Sequence, residues 1–186
     1  TKESTKLEWP GECSNLGLLG RGEDGETKLQ LRENITFIDG IRLAGSAKQI
    51  VGYVLYHERR LMGVWKNVTE KVLDNSVVLD IGANHGMYGL WAAKNGHTVF
   101  LFEPQPACHT AIDEGICLNA PYKTVPKLIR NPVLPNKNDY IFVSPKKVWC
   151  SGVATFNINE EVGSENADLQ VYGADISDFV SPNTKI

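Results

Sequence analysis

The residues of this chain best suited to chemistry are two carboxylates, Asp80 and Glu103, and the glycines beside the first. Asp80 opens the run Asp80-Ile81-Gly82-Ala83-Asn84-His85-Gly86, and Glu103 closes the next apolar run. A glycine just after a strand lets the backbone turn sharply, and a second allows close approach of a ligand or of the following helix. A carboxylate at the end of the neighbouring strand accepts hydrogen bonds from paired hydroxyls such as those of a ribose. Each such charge-assisted bond contributes about 1.5–3 kcal/mol. Turn and acid together follow the logic of a nucleotide-binding α/β unit.

That logic requires particular elements around the residues. Val77–Ile81 is apolar except for Asp80, as expected of a parallel strand covered on both faces. Residues 86–94 read as a helix stopped by Asn95-Gly96, Thr98–Phe102 as a second buried strand, and 107–118 as a second helix after Pro104 and Pro106. A third strand is expected at 127–130. Tyr140–Val143, 153–157 and Leu169–Tyr172 read as antiparallel additions. The expected fold class is α/β, a Rossmann-like, mostly parallel sheet with right-handed crossovers and antiparallel additions. A dinucleotide site wants glycine at the position of Asn84, where the pyrophosphate approaches the backbone. S-adenosyl-L-methionine has no phosphate. An asparagine there can offer its amide to the amino-acid end of that cofactor, and Asp80 can meet its ammonium.

The blocks Val78-Leu79-Asp80-Ile81-Gly82-Ala83-Asn84-His85-Gly86-Met87-Tyr88, Ala92-Ala93-Lys94-Asn95-Gly96 and Phe102-Glu103-Pro104-Gln105-Pro106 resemble the FkbM family of S-adenosylmethionine-dependent methyltransferases. The similarity is firm over 77–119 and loose over 53–76 and 125–186. It implies a class I methyltransferase fold and methyl transfer to a hydroxyl of a sugar or other small molecule. By position, Asp80, Gly82, Ala83, Asn84, Gly86, Met87 and Tyr88 would line the methionine end of the cofactor, Glu103 and Pro104 the ribose, and Asn131 the adenine. Members of the family continue beyond a stretch like 171–179 into a fourth core strand. The resemblance therefore implies a methyltransferase domain over 53–186 truncated before that strand, and a chain that by itself is poorly stable or self-associating.

The remaining features narrow the function classes. The 186 residues carry a net charge of −3, which gives no sign of a nucleic-acid-coating surface. No apolar run approaches the ~20 residues of a membrane span. Cys13, Cys108, Cys117 and Cys150 form no CxxC pair, so a zinc site is not expected, while disulfide pairing and compartment stay open between cytoplasm and secretory lumen. The sequons Asn34-Ile35-Thr36 and Asn67-Val68-Thr69 are about what chance gives at this composition. Residues 1–52 read as an irregular segment: loop over 11–25, and short strands at 28–31 and 36–43 around Asp39-Gly40. Helical periodicity begins at Ile50, and Thr69-Glu70 reads as the start of a short helix. His57-Glu58 would face the cleft by analogy of fold alone. His85 and His109 read as loop or structural residues, and Met87 and Trp91 as core. The expected partner is a small-molecule or glycan substrate. The alternatives are a nucleotide-dependent oxidoreductase and a non-catalytic binding module.

Overall fold

The computed structural model describes residues 13, 19–21, 27–29, 35–38, 40–44, 59–71, 76–143, 150, 158–159 and 169–181. Three parallel strands form its centre: β5 (Val77–Ile81), β6 (Thr98–Phe102) and β7 (Lys127–Ile129), in the order β5-β6-β7. The register pairs Val77 with Thr98 and Ile81 with Phe102, and then Phe100 with Lys127. Helix α2 (Met87–Lys94) joins β5 to β6, and α3 (Pro106–Asn119) joins β6 to β7. The chain is thus a mixed α/β structure with a three-stranded parallel sheet. The middle strand is β6, and the outer edge of β5 has no strand partner among the described residues.

Antiparallel pairs surround this sheet. β1 (Leu19–Arg21) pairs with β2 (Thr27–Leu29), and β3 (Ile35–Ile38) with β4 (Ile41–Ala44). β8 (Tyr140–Val143) pairs with β9 (Leu169–Tyr172). The β3–β4 turn runs through Gly40 at φ 90°, the left-handed backbone that favours glycine. Leu19–Arg21, expected to be loop, is a strand, because pairing with Thr27–Leu29 outweighs its glycine-rich composition. Thr69 ends α1 (Arg59–Thr69) instead of starting a helix. Its hydroxyl donates back to the carbonyls of Trp65 and Lys66 at 2.8 and 3.1 Å, the local bonding that suits threonine to a helix end. The expected strand at 153–157, the helical start near Ile50 and His57-Glu58 lie outside the described residues.

Alternation along β6 builds the core. Val99 and Leu101 face α2, while Phe100 and Phe102 face the other way and meet the Phe179 ring edge-on at 5.3 and 5.2 Å. Leu90, Ile112, Leu101, Ile41 and Leu43 are fully buried in one cluster, so β4 shares the core of the parallel sheet. Asn119 fixes that contact as an extra strand would. Its Oδ1 accepts from Arg42 N at 2.8 Å, and its Nδ2 donates to Arg42 O at 2.6 Å. Two disulfides, Cys13–Cys117 and Cys108–Cys150, close loops of 104 and 42 residues' separation. All four cysteines are thereby removed from the pool of thiolate metal ligands. No described helix is long and apolar enough to cross a membrane.

Candidate functional site at the carboxyl ends of the parallel strands

The turn after β5 is held in shape by its backbone. Gly82, Asn84 and Gly86 have φ of 78°, 54° and 77°, three left-handed residues within five positions. Gly82 N and Ala83 N both donate to Phe102 O, at 2.9 and 3.0 Å, which clips the turn onto the end of β6. Gly86 N donates to Ala83 O at 2.6 Å. Asn84 N donates to Glu103 Oε2 at 2.8 Å. Four backbone donors of the turn are therefore engaged inside the protein.

Glu103 is the hub. It is 2% exposed, although it ends a strand where a solvated side chain would be unremarkable. Besides Asn84 N on Oε2, its Oε1 accepts from Gln105 N at 2.9 Å and Gln105 Nε2 at 3.2 Å. Its backbone N donates to Ile129 O at 3.0 Å, and His109 Nε2 lies 2.8 Å from its carbonyl. Glu103 so joins the ends of the three strands, its carboxylate holding the turn after β5 and its backbone holding β7. A carboxylate has about four acceptor positions, and three are filled here. By that count one acceptor position, on Oε2, is left for a hydroxyl donor, whereas two hydroxyls were expected from the sequence.

Asp80 does structural work from the same face. Its Oδ2 accepts from Gly89 N at 2.8 Å and caps the first turn of α2, whose N-cap residue Gly86 has no side chain to do so. Gly89 makes this contact possible. A Cβ there would lie 2.7 Å from Leu101 Cδ2, 2.9 Å from Asp80 Oδ2 and 3.1 Å from Val99 Cγ1. By contrast, the space beside Gly82 is open, with nothing within 4 Å of a built Cβ. Asp80 also lines an apolar groove between α1 and β5, with Leu61, Val64, Trp65, Val68, Leu79 and Tyr88.

The other expected residues divide. Ala83 and Met87 are 5% and 3% exposed and belong to the core cluster, so their side chains pack inside. Pro104 is buried beside Glu103. Tyr88 packs edge-on against Trp65 at 6.1 Å, and its carbonyl accepts from Trp65 Nε1 at 3.3 Å. Asn131 uses its Nδ2 on Tyr172 O at 3.1 Å, which ties the end of β7 to β9. Burial lowers the pKa of His85 and leaves its Nδ1 without a hydrogen-bond partner among the described residues. His109 is also lowered, chiefly by burial, with its bond to the Glu103 carbonyl acting against the shift.

Three contributors escaped the sequence reading. Gly89 carried a signal, since glycine inside a helix is disfavoured unless something approaches it closely. Gln105 lies two residues after Glu103 in the block Phe102-Glu103-Pro104-Gln105-Pro106 but had no role there. Cys150 had no signal at all: its Sγ, bonded to Cys108, lies 2.8 Å from Asn84 Oδ1. Among the described residues, no group of three or more His, Cys, Asp or Glu could hold a metal ion. Comparison with protein-family models and with curated proteins gives no match.

Proposed function

We propose that the chain is an S-adenosyl-L-methionine-dependent methyltransferase acting on a hydroxyl of a sugar or other small molecule. The observation that carries this reading is the bonding state of the turn after β5. A phosphate-binding turn needs backbone N–H groups aimed outward at the anion. Here Gly82, Ala83, Asn84 and Gly86 all donate inward, and Asn84 N is held by the negative charge of Glu103. That arrangement suits a nucleoside without a pyrophosphate and counts against the nucleotide-dependent oxidoreductase. The ligand's place is the crevice at the carboxyl ends of adjacent parallel strands, the usual place in open α/β sheets.

The residues present fit the cofactor's chemistry. The remaining lone pair of Glu103 Oε2 accepts a ribose hydroxyl. The Asn84 Nδ2, which has no partner among the described residues, donates toward the cofactor's carboxylate. Asp80 places a negative charge for the ammonium, and the open space beside Gly82 leaves room for the ligand. When bound, adenosylmethionine supplies an electrophilic methyl on a sulfonium, and the protein's part is to align an acceptor oxygen with it.

The test is Glu103→Gln titrated with adenosylhomocysteine. The amide replaces a two-oxygen acceptor by one oxygen and an NH2 that faces donors. Affinity should fall roughly 10- to 100-fold, about 1.4–2.8 kcal/mol. Unchanged affinity in a folded variant removes Glu103 from the site.

A further inference from the structure

We propose that Asn67 carries an N-linked glycan, attached while the chain passes through an oxidising, glycosylating compartment. This stands independently of the ligand reading above. Its first support is the cysteine chemistry. All four cysteines of the sequence are paired, and Cys13, Cys108 and Cys117 are at most 1% exposed. Both bridges join segments far apart in sequence, 104 and 42 residues. Cytosolic thiol systems keep such cysteines reduced, so the bridged fold belongs to a compartment of the secretory type. N-glycosylation takes place in the same kind of compartment.

The second support is the setting of the sequon Asn67-Val68-Thr69. It occupies the last turn of α1, with Asn67 on the solvent face and Met62 and Thr69 on the buried side. A glycan on Asn67 extends into solvent and displaces no core residue. The exposed face of this helix is also apolar: Leu61, Val64 and Val68 are 57%, 60% and 54% exposed. An exposed apolar stripe on a secreted chain is an association hazard, and a hydrated glycan rooted between Val64 and Val68 hinders that association. The folded helix closes the sequon, because the Thr69 hydroxyl is bonded to Trp65 O and Lys66 O and the residue is 3% exposed. Attachment therefore precedes the folding of α1, in the order expected of modification during synthesis.

The experiment uses the protein isolated from its own source, alkylated without reduction and digested with trypsin. The peptide Asn67–Lys71 is followed by mass spectrometry with and without peptide-N-glycosidase treatment in heavy-oxygen water, applied to the intact chain before trypsin in ordinary water, because trypsin leaves Asn67 at the peptide's N-terminus, where the glycosidase does not act. The expected result is that this peptide appears mainly after treatment, with its asparagine converted to an aspartate carrying heavy oxygen, and that no cysteine is alkylated. An unmodified Asn67 peptide as the main species in the untreated sample, or alkylated cysteines, overturns the proposal. A second arm secretes the chain from cultured eukaryotic cells. Asn67→Gln should lose one glycosidase-sensitive mobility step, and Thr69→Ser, which keeps hydroxyl and sequon, should retain it. The same mobility for Asn67→Gln and the parent chain overturns the assignment of Asn67.

Discussion

Replacing Gly89 by alanine should destabilise the protein, even though alanine is the better helix former. The built Cβ comes within 2.7 Å of Leu101 Cδ2 and 2.9 Å of Asp80 Oδ2, and Val99 Cγ1 stands at 3.1 Å. Leu101 is fully buried and Val99 is stiff about its Cα–Cβ bond, so neither moves aside easily. Overpacking of this kind costs about 1–3 kcal/mol. If the carboxylate swings away instead, the 2.8 Å bond from Gly89 N is lost, an interaction with a charged group worth about 1.5–3 kcal/mol. The gain in helix propensity returns only about 0.8–1 kcal/mol. The net expectation is a loss of about 0.5–2 kcal/mol, each kcal/mol lowering Tm by about 2–4 °C in a chain of this size. Gly63→Ala is the matched control, because it too lies inside a helix, α1, and nothing lies within 4 Å of its built Cβ. That change should stabilise by about 0.5–1 kcal/mol. Urea unfolding of the two variants beside the parent chain decides the matter. Equal or greater stability of Gly89→Ala would refute close approach of α2 to the sheet.

Asn119→Ala should cost about 2–4 kcal/mol in urea unfolding, since it strips partners from both backbone groups of Arg42 while leaving the Asn119 backbone untouched. Removing the Cys13–Cys117 bridge by paired alanine substitution should lower stability by about 4–5 kcal/mol, from the entropy of a loop of this separation, read as a shift of denaturant midpoint. Stability should also fall as pH drops below 6.5, the ordinary histidine pKa. His85 and His109 are lowered in the folded chain, so the unfolded chain binds protons first and the loss levels off once the folded rings titrate. His85→Gln should flatten that slope in unfolding measured from neutral pH to about pH 5.

The elements that hold the turn were legible because their signals are local. Val77–Ile81, Thr98–Phe102, Tyr140–Val143 and Leu169–Tyr172 stand as strands at the bounds their apolar or alternating runs indicate, and Pro106, expected just before the second helix, is the first residue of α3. β1 was hidden because its strand character comes from pairing with Thr27–Leu29 and not from its own composition. The disulfides were hidden for the same reason, since nothing near Cys13 marks Cys117 as its partner. In the site, the nearness of the Asp80–Gly86 turn to Glu103 followed from strand order. The inward direction of Glu103 did not, because it depends on three donors from Asn84 and Gln105 that only the folded chain assembles.

We propose that the crevice takes an adenosyl ligand without phosphates. It is tested most directly by calorimetric titration of the disulfide-intact chain with adenosylhomocysteine and NAD in parallel. Saturable one-to-one binding of adenosylhomocysteine is expected, with at least a roughly 10-fold weaker response to NAD, because the turn's donors face Phe102 O, Ala83 O and Glu103 and not a pyrophosphate. NAD binding as tightly as adenosylhomocysteine, or tighter, would contradict it.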